Sequence, residues 1–171
     1  MSITCDSCCE SSVTDEKHAI LQVPAADNIQ ASIIDLLKSE AISGENCYFC
    51  SACDSYQNAS IDHCLKASSH YLIIQIKRFV AIDGVAGKDH RKILCNTNLT
   101  IPIQVDDDVT IPREYKLIAS INHSGSLTNG HYWAIVKSGD FWLRCNDKAV
   151  VLAKQEELND SFGYILVFEK I

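Results

Sequence analysis

The sequence predicts an α+β fold built on an antiparallel sheet, and three features carry that expectation. After Tyr115 nearly every apolar run is short, rich in β-branched or aromatic residues and bounded by turn residues. One stretch alone shows helical spacing, with Ile29, Ile33, Ile34, Leu36 and Leu37 recurring every three or four residues. Six of the nine cysteines precede Asp54, so a small cysteine-rich arm stands against an apolar remainder.

In order along the chain, Ala19 to Pro24 reads as a strand stopped by proline. The helix follows, with Asp27 as its expected cap, Gln30 three positions on, and Gly44 closing the segment. Tyr71 to Ile76 is a β-branched run ending in Lys77-Arg78-Phe79, as a mostly buried strand would be. Ala81 to Arg91, with Gly84 and Gly87, is expected to be a loop. Short strands are expected at Lys92–Leu94 and Leu99–Ile103, with Pro102 and Pro112 bracketing an acidic loop, Asp106–Asp108. Five further strands are expected at Tyr115–Ile121, His131–Lys137, Phe141–Asn146, Ala149–Leu152 and Tyr164–Phe168.

At 171 residues the chain is long enough for one domain that buries roughly 68–70% of its unfolded surface. The formal charge is −7, and Lys and Arg cluster on no stretch that also carries stacking aromatics, which argues against nucleic acid as a partner. No window approaches the roughly 18 apolar residues of a membrane span, and the N-terminus has no basic start followed by an apolar run. A soluble protein of the cytoplasm or nucleus is expected. Nine cysteines, an odd number, suit a secreted disulfide framework poorly, whereas Cys-x-x-Cys pairs in a reducing compartment more often hold metal.

Two such pairs are present, Cys5–Cys8 and Cys50–Cys53. A spacing of two residues lets both sulfurs of a knuckle reach one ion at about 2.3 Å, and four thiolates leave no open position for water. A structural zinc on Cys5, Cys8, Cys50 and Cys53 is therefore expected, with Cys47–Cys50 a competing second pair and Cys9 a competing neighbour of Cys8. The 41 residues between Cys8 and Cys50 must form an excursion that returns the second knuckle to the first.

The second constellation is a histidine with an amide. His131 opens the strand Tyr132 to Val136, and Lys137-Ser138-Gly139-Asp140 reads as the connection to the strand Phe141–Cys145. With that connection His131 lies directly across from Asn146, Cβ atoms about 4.5–5.5 Å apart. An amide so placed can fix the ring tautomer while the imidazole draws a proton from a thiol.

Tyr115 to Gly125, Gly130-His131-Tyr132-Trp133-Ala134, Trp142 to Asp147 and Tyr164-Ile165-Leu166 together resemble the C-terminal box of ubiquitin-specific proteases. Gly44-Glu45-Asn46 with Tyr48 to Cys53 is similar to that family's second finger knuckle, and Leu72 to Phe79 to its strand ending in Lys-Arg-Phe. The resemblance implies a papain-like palm with a zinc-ribbon fingers subdomain, divided as residues 1–60 (fingers with one helix) and 61–171 (mostly β palm). It implies His131 as general base, Asn146 as its orienting residue, Asp147 as a neighbouring polar group, and ubiquitin or a ubiquitinated protein as partner.

The family's nucleophile lies in a Gly-Asn-Thr-Cys-Tyr box on a helical thumb ahead of the fingers. Gly44-Glu45-Asn46-Cys47-Tyr48 is only superficially like it: no helical stripe follows Cys47, and the family's oxyanion asparagine would fall on Ile42. Cys64, Cys95 and Cys145 read as packing residues. The expectation is the C-terminal part of a deubiquitinase domain without its thumb and inactive alone, or else a non-catalytic ubiquitin- or protein-binding module derived from the same domain.

Overall fold

A computed structural model of the chain describes residues 1–82, 84–159 and 162–171. The first strands are β1 (Ser2–Cys5), β2 (Ser11–Val13) and β3 (Leu21–Pro24), followed by helix α1 (Ile29–Leu36). Next come β4 (Glu40–Ile42), β5 (Tyr48–Cys50), β6 (Ser55–Gln57) and β7 (Ala59–Asp62). β8 (Tyr71–Lys77), β9 (Phe79–Ile82), β10 (Val85–Lys88) and β11 (Asn98–Asp106) lead to the long β12 (Val109–Gly125). The chain ends with β13 (Gly130–Ser138), β14 (Phe141–Asn146), β15 (Ala149–Ala153) and β16 (Gly163–Lys170).

A separate four-stranded sheet has the order β2-β1-β7-β4. The main sheet runs β15-β14-β13-β12-β16-β8-β3, with β11 also paired to β12. Among the described residues, all its pairs are antiparallel except β3 with β8. A parallel pair requires a long crossover, and here the crossover carries α1 and the second cysteine knuckle. β3 and α1 pack with the main sheet, while the small sheet extends to Asp62. Apolar spacing shows that a helix buries one face but not which sheet covers it.

α1 is capped by Asn28, not Asp27: the Asn28 side chain accepts from the Ala31 backbone N–H at 2.8 Å. Ile29 and Ile33 of α1 pack with Leu99, Ile101 and Ile103 of β11 and with Ile74, Ile76, Leu166 and Phe168 of the main sheet. Each such side chain contributes roughly 1.5–3 kcal/mol by leaving water. Register shifts at Leu117/Ala119 and Ile121/Asn122 let the 17-residue β12 bend as it pairs with its neighbours.

Ala81 to Arg91, expected as a loop, contains half of a hairpin in which β9 pairs with β10 from Lys88↔Phe79 to Val85↔Ile82. Lys92–Leu94 forms no strand; Leu94 makes a single bridge to Asn28. Arg78 ties the hairpin down. Fully buried, it donates from Nε to Gly163 O at 2.6 Å and from one terminal nitrogen to Asp89 O and Arg91 O at 3.1 and 2.9 Å.

Candidate functional site

The β13–β14 hairpin turns through two residues, not four. Ser138 pairs with Phe141, and Gly139 takes φ +56°, a conformation glycine adopts at little cost. The ladder runs from Ser138↔Phe141 to Ala134↔Cys145, so the same register sets Trp133, not His131, opposite Asn146. The expected register is thus off by two residues. A slip of two preserves the face where a slip of one would reverse it, and His131 and Asn146 become diagonal neighbours within reach of each other.

His131 Nε2 and Asn146 Oδ1 are 2.6 Å apart. An amide oxygen only accepts, so Nε2 carries the ring proton and Nδ1 keeps its lone pair. The Trp133 indole lies nearly parallel to the His131 ring, centroids 6.1 Å apart at 19°, and is backed by Phe162 at 5.1 Å. Amide and indole together fix the ring. His131 is exposed and Asn146 half-buried. Asp147 follows in the turn to β15 at φ +51°, exposed to solvent.

Strand alternation turns Tyr132 to the opposite face. There it packs on His123 with ring centroids 4.4 Å apart, while Phe79 and Tyr164 lie 5.8 and 6.3 Å from the same imidazole. Gln75 donates to the Tyr164 hydroxyl at 2.6 Å, and Gln22 to Gln75 at 3.0 Å, along a shallow cleft of about 280 Å³. Lys88 Nζ reaches His123 O at 2.6 Å and Nδ1 at 3.0 Å. Burial, with Lys88 adding to it, holds His123 below the ordinary histidine range; burial, with Arg78 adding to it, lowers Lys88. Sequence pattern singles out neither His123 nor Lys88, because the residues of this cluster come from several strands distant in the chain.

The sulfurs of Cys5, Cys8, Cys50 and Cys53 lie within 4.8 Å of one another. Cys5–Cys53 and Cys8–Cys50 are separated by 4.0 and 3.6 Å, close to the roughly 3.8 Å edge of a tetrahedron with metal–sulfur bonds of about 2.3 Å. These four thiols can hold a metal ion. Pairing of β1 with β7, Cys5 opposite Ala59, and the β5–β6 hairpin return the second knuckle to the first. Each knuckle is followed by a residue in the left-handed region, Cys9 at φ +62° and Asp54 at φ +51°. The Cys8 backbone N–H, chief among the influences on it, brings the Cys5 thiol down to about 7, while the neighbouring Cys8 thiol, ahead of its other causes, pushes Cys53 up to about 12. Four adjacent thiols cannot all ionise without a cation between them.

Cys47 is not part of this cluster; its sulfur lies 3.5 Å from Asn58 Oδ1. Cys95 is buried in the core, and Cys64 and Cys145 are half-buried. Among the described residues, the His131 ring hydrogen-bonds to Asn146 and to no thiol.

Residues 2–168 match the family model described as ubiquitin carboxyl-terminal hydrolase. The chain belongs to that family. It is 33% identical over 173 residues to ubiquitin carboxyl-terminal hydrolase 25 of Arabidopsis thaliana, covering 98% of this chain and 26% of the relative. To ubiquitin carboxyl-terminal hydrolase 4 of the same plant it is 30% identical, covering 95% of this chain and 49% of the relative. The chain thus spans half or less of these relatives. Among solved structures it superposes on the SAGA Ubp8/Sgf11/Sus1/Sgf73 DUB module bound to ubiquitin aldehyde with a TM-score of 0.85 and 26% identity, covering 99% of this chain and 40% of that one. A variant of the same module bound to monoubiquitin gives a TM-score of 0.81, again at 26% identity, covering 99% of this chain and 39% of that one. The mostly β architecture is that of this family's hydrolase domain.

Proposed function

We propose that the chain is the base-bearing and ubiquitin-gripping part of a cysteine-type deubiquitinase. The observation that carries this is the 2.6 Å contact of His131 Nε2 with Asn146 Oδ1 in a chain of this family. Asn146 holds the tautomer, and Nδ1 of His131 takes the proton of a thiol as its sulfur attacks the carbonyl carbon of ubiquitin's terminal glycine. The imidazolium then returns the proton to the departing amine, leaving a thioester that water hydrolyses with the same base. Asp147 is a polar neighbour at the turn. The nucleophile is supplied by polypeptide outside these 171 residues, a thumb joined to this palm, since no thiol among the described residues meets His131.

Cys5, Cys8, Cys50 and Cys53 hold a structural zinc that stiffens the fingers around the body of ubiquitin; thiolate spacing and ligand type support the metal. The cleft lined by Gln22, Gln75, Phe79 and Tyr164, on the sheet face opposite His131, suits an extended peptide, and the bound states of the superposed modules support ubiquitin as the partner. The Cys-x-x-Cys spacing and the odd number of cysteines support a reducing compartment, cytoplasm or nucleus.

Calorimetric titration with ubiquitin tests the reading. Saturable binding is expected, weakened when the tail is deleted, together with negligible release of fluorophore from a ubiquitin C-terminal conjugate. Release that His131→Ala abolishes would place a nucleophile inside this chain, and absence of ubiquitin binding would sink the proposal.

A further inference from the structure

The strand that presents His131 begins beside a buried contact to which no role has been given. His123 pairs with Tyr132 across β12 and β13, and Ser124 pairs with His131 itself. The His123 ring, 4% exposed, occupies the space a side chain on Gly130 would need: a Cβ there would stand 2.0 Å from His123 Nε2. Gly130 therefore rests directly on the His123 imidazole, and His131 is the next residue.

Lys88 is the polar side chain that holds that imidazole. Its Nζ lies 3.0 Å from Nδ1 and 2.6 Å from the His123 carbonyl. An ammonium group has no lone pair and can only donate. Nδ1 must then be unprotonated, and the single ring proton sits on Nε2, facing Gly130. Protonating Nδ1 would set two cations at hydrogen-bond distance. The ring contacts come from Phe79, Tyr132 and Tyr164, which bring no charge, and Phe79 stands directly across from Lys88 in the β9–β10 hairpin.

We propose that Lys88 is a positioning residue for the base: by donating to both the carbonyl and Nδ1 of His123, it fixes a neutral Nε2–H imidazole as the seat of Gly130 and so the orientation of His131. The depression of His123 by burial and by Lys88 agrees with such a seat. The inference rests on the proposed role of His131 only for what is positioned; the tautomer itself is read without ubiquitin, so its failure and a failure of ubiquitin binding are separate results.

The test is nitrogen NMR of the full chain, zinc-loaded and labelled in histidine, across a pH range of about 5 to 8 that brackets the ordinary histidine value. Wild type is expected to show His123 with its proton on Nε2 and a titration midpoint below the ordinary value of about 6.5. In Lys88→Met the midpoint should rise, the second tautomer should appear, and the His131 ring signals should move. Lys88→Arg, which keeps two donors, should restore much of the wild-type pattern. A wild-type His123 protonated on Nδ1 overturns the proposal outright. So does a folded Lys88→Met protein in which both histidines are unchanged. If Lys88→Met does not fold, the wild-type tautomer and Lys88→Arg decide.

Discussion

Asn146 reaches His131 from two rungs along the neighbouring strand: its Oδ1 lies 2.6 Å from His131 Nε2, although the register sets Trp133 opposite it. The contact makes the tautomer a property of the hairpin. With a thumb joined, His131→Ala should lower kcat by about 10²–10⁴, the usual contribution of a general base. Asn146→Ala should cost less, and nitrogen NMR of His131 should then show both tautomers. Asn146→Ala with a single unchanged tautomer would mean that the amide does not orient the ring.

Metal analysis under reducing, zinc-replete conditions should give one zinc per chain, and Cys50→Ser should lose it. Structural zinc sites carry roughly 10–16 kcal/mol of apparent binding energy, so β1, β5 and β6 should lose hydrogen-exchange protection in the variant. Protection in β12, β13 and β16 should persist, because their partners lie in the other sheet. Cys47→Ser should keep its metal.

Gly130→Ala should destabilise the chain by about 1–3 kcal/mol in urea unfolding, as overpacking does, since its Cβ would strike His123 and Ser124 O. Gly87→Ala is the control. Its Cβ would meet nothing within 4 Å, and the change should stay within about 0.5 kcal/mol.

Acid should weaken the fold through His123. Its pKa is lowered in the folded state, so below the unfolded value of about 6.5 the unfolded chain binds more protons. That stability is fully present above about pH 7.5 and is lost as pH falls from about 6.5 through the folded value. Urea midpoints between about pH 8 and pH 5.5 check this, and His123→Gln should flatten the slope.

Most of the strands and the knuckle pairs were legible because they rest on local pattern: two-residue alternation from Tyr115 onward and thiols spaced by two. The hairpin connection was read two residues too long because Lys137 and Ser138 are polar, yet both extend β13 as Trp142 and Phe141 pair with them. Asp27, the expected cap, gives way to Asn28, and the Asp27 backbone is held instead by the Leu94 N–H, which donates to Asp27 O at 2.9 Å from 67 residues away. The β9–β10 hairpin is masked by its glycines and is held by Arg78, whose buried contact to Gly163 O spans 85 residues. The ring cluster of Phe79, Tyr132, Tyr164 and His123 likewise exists only once β9, β12, β13 and β16 have met.

His131 and Asn146 stand 15 residues apart on one hairpin, whereas β3 finds β8 across 53 residues, Leu21 to Ile74. Hairpins close in about 1–10 μs, and pairings between distant segments come later because longer loops must be ordered first. The orienting contact can therefore assemble early and locally, with its alignment inherited by whatever folds around it. The contact between His131 and Asn146 thus depends on one short-range element and not on the long-range pairing of β3 with β8.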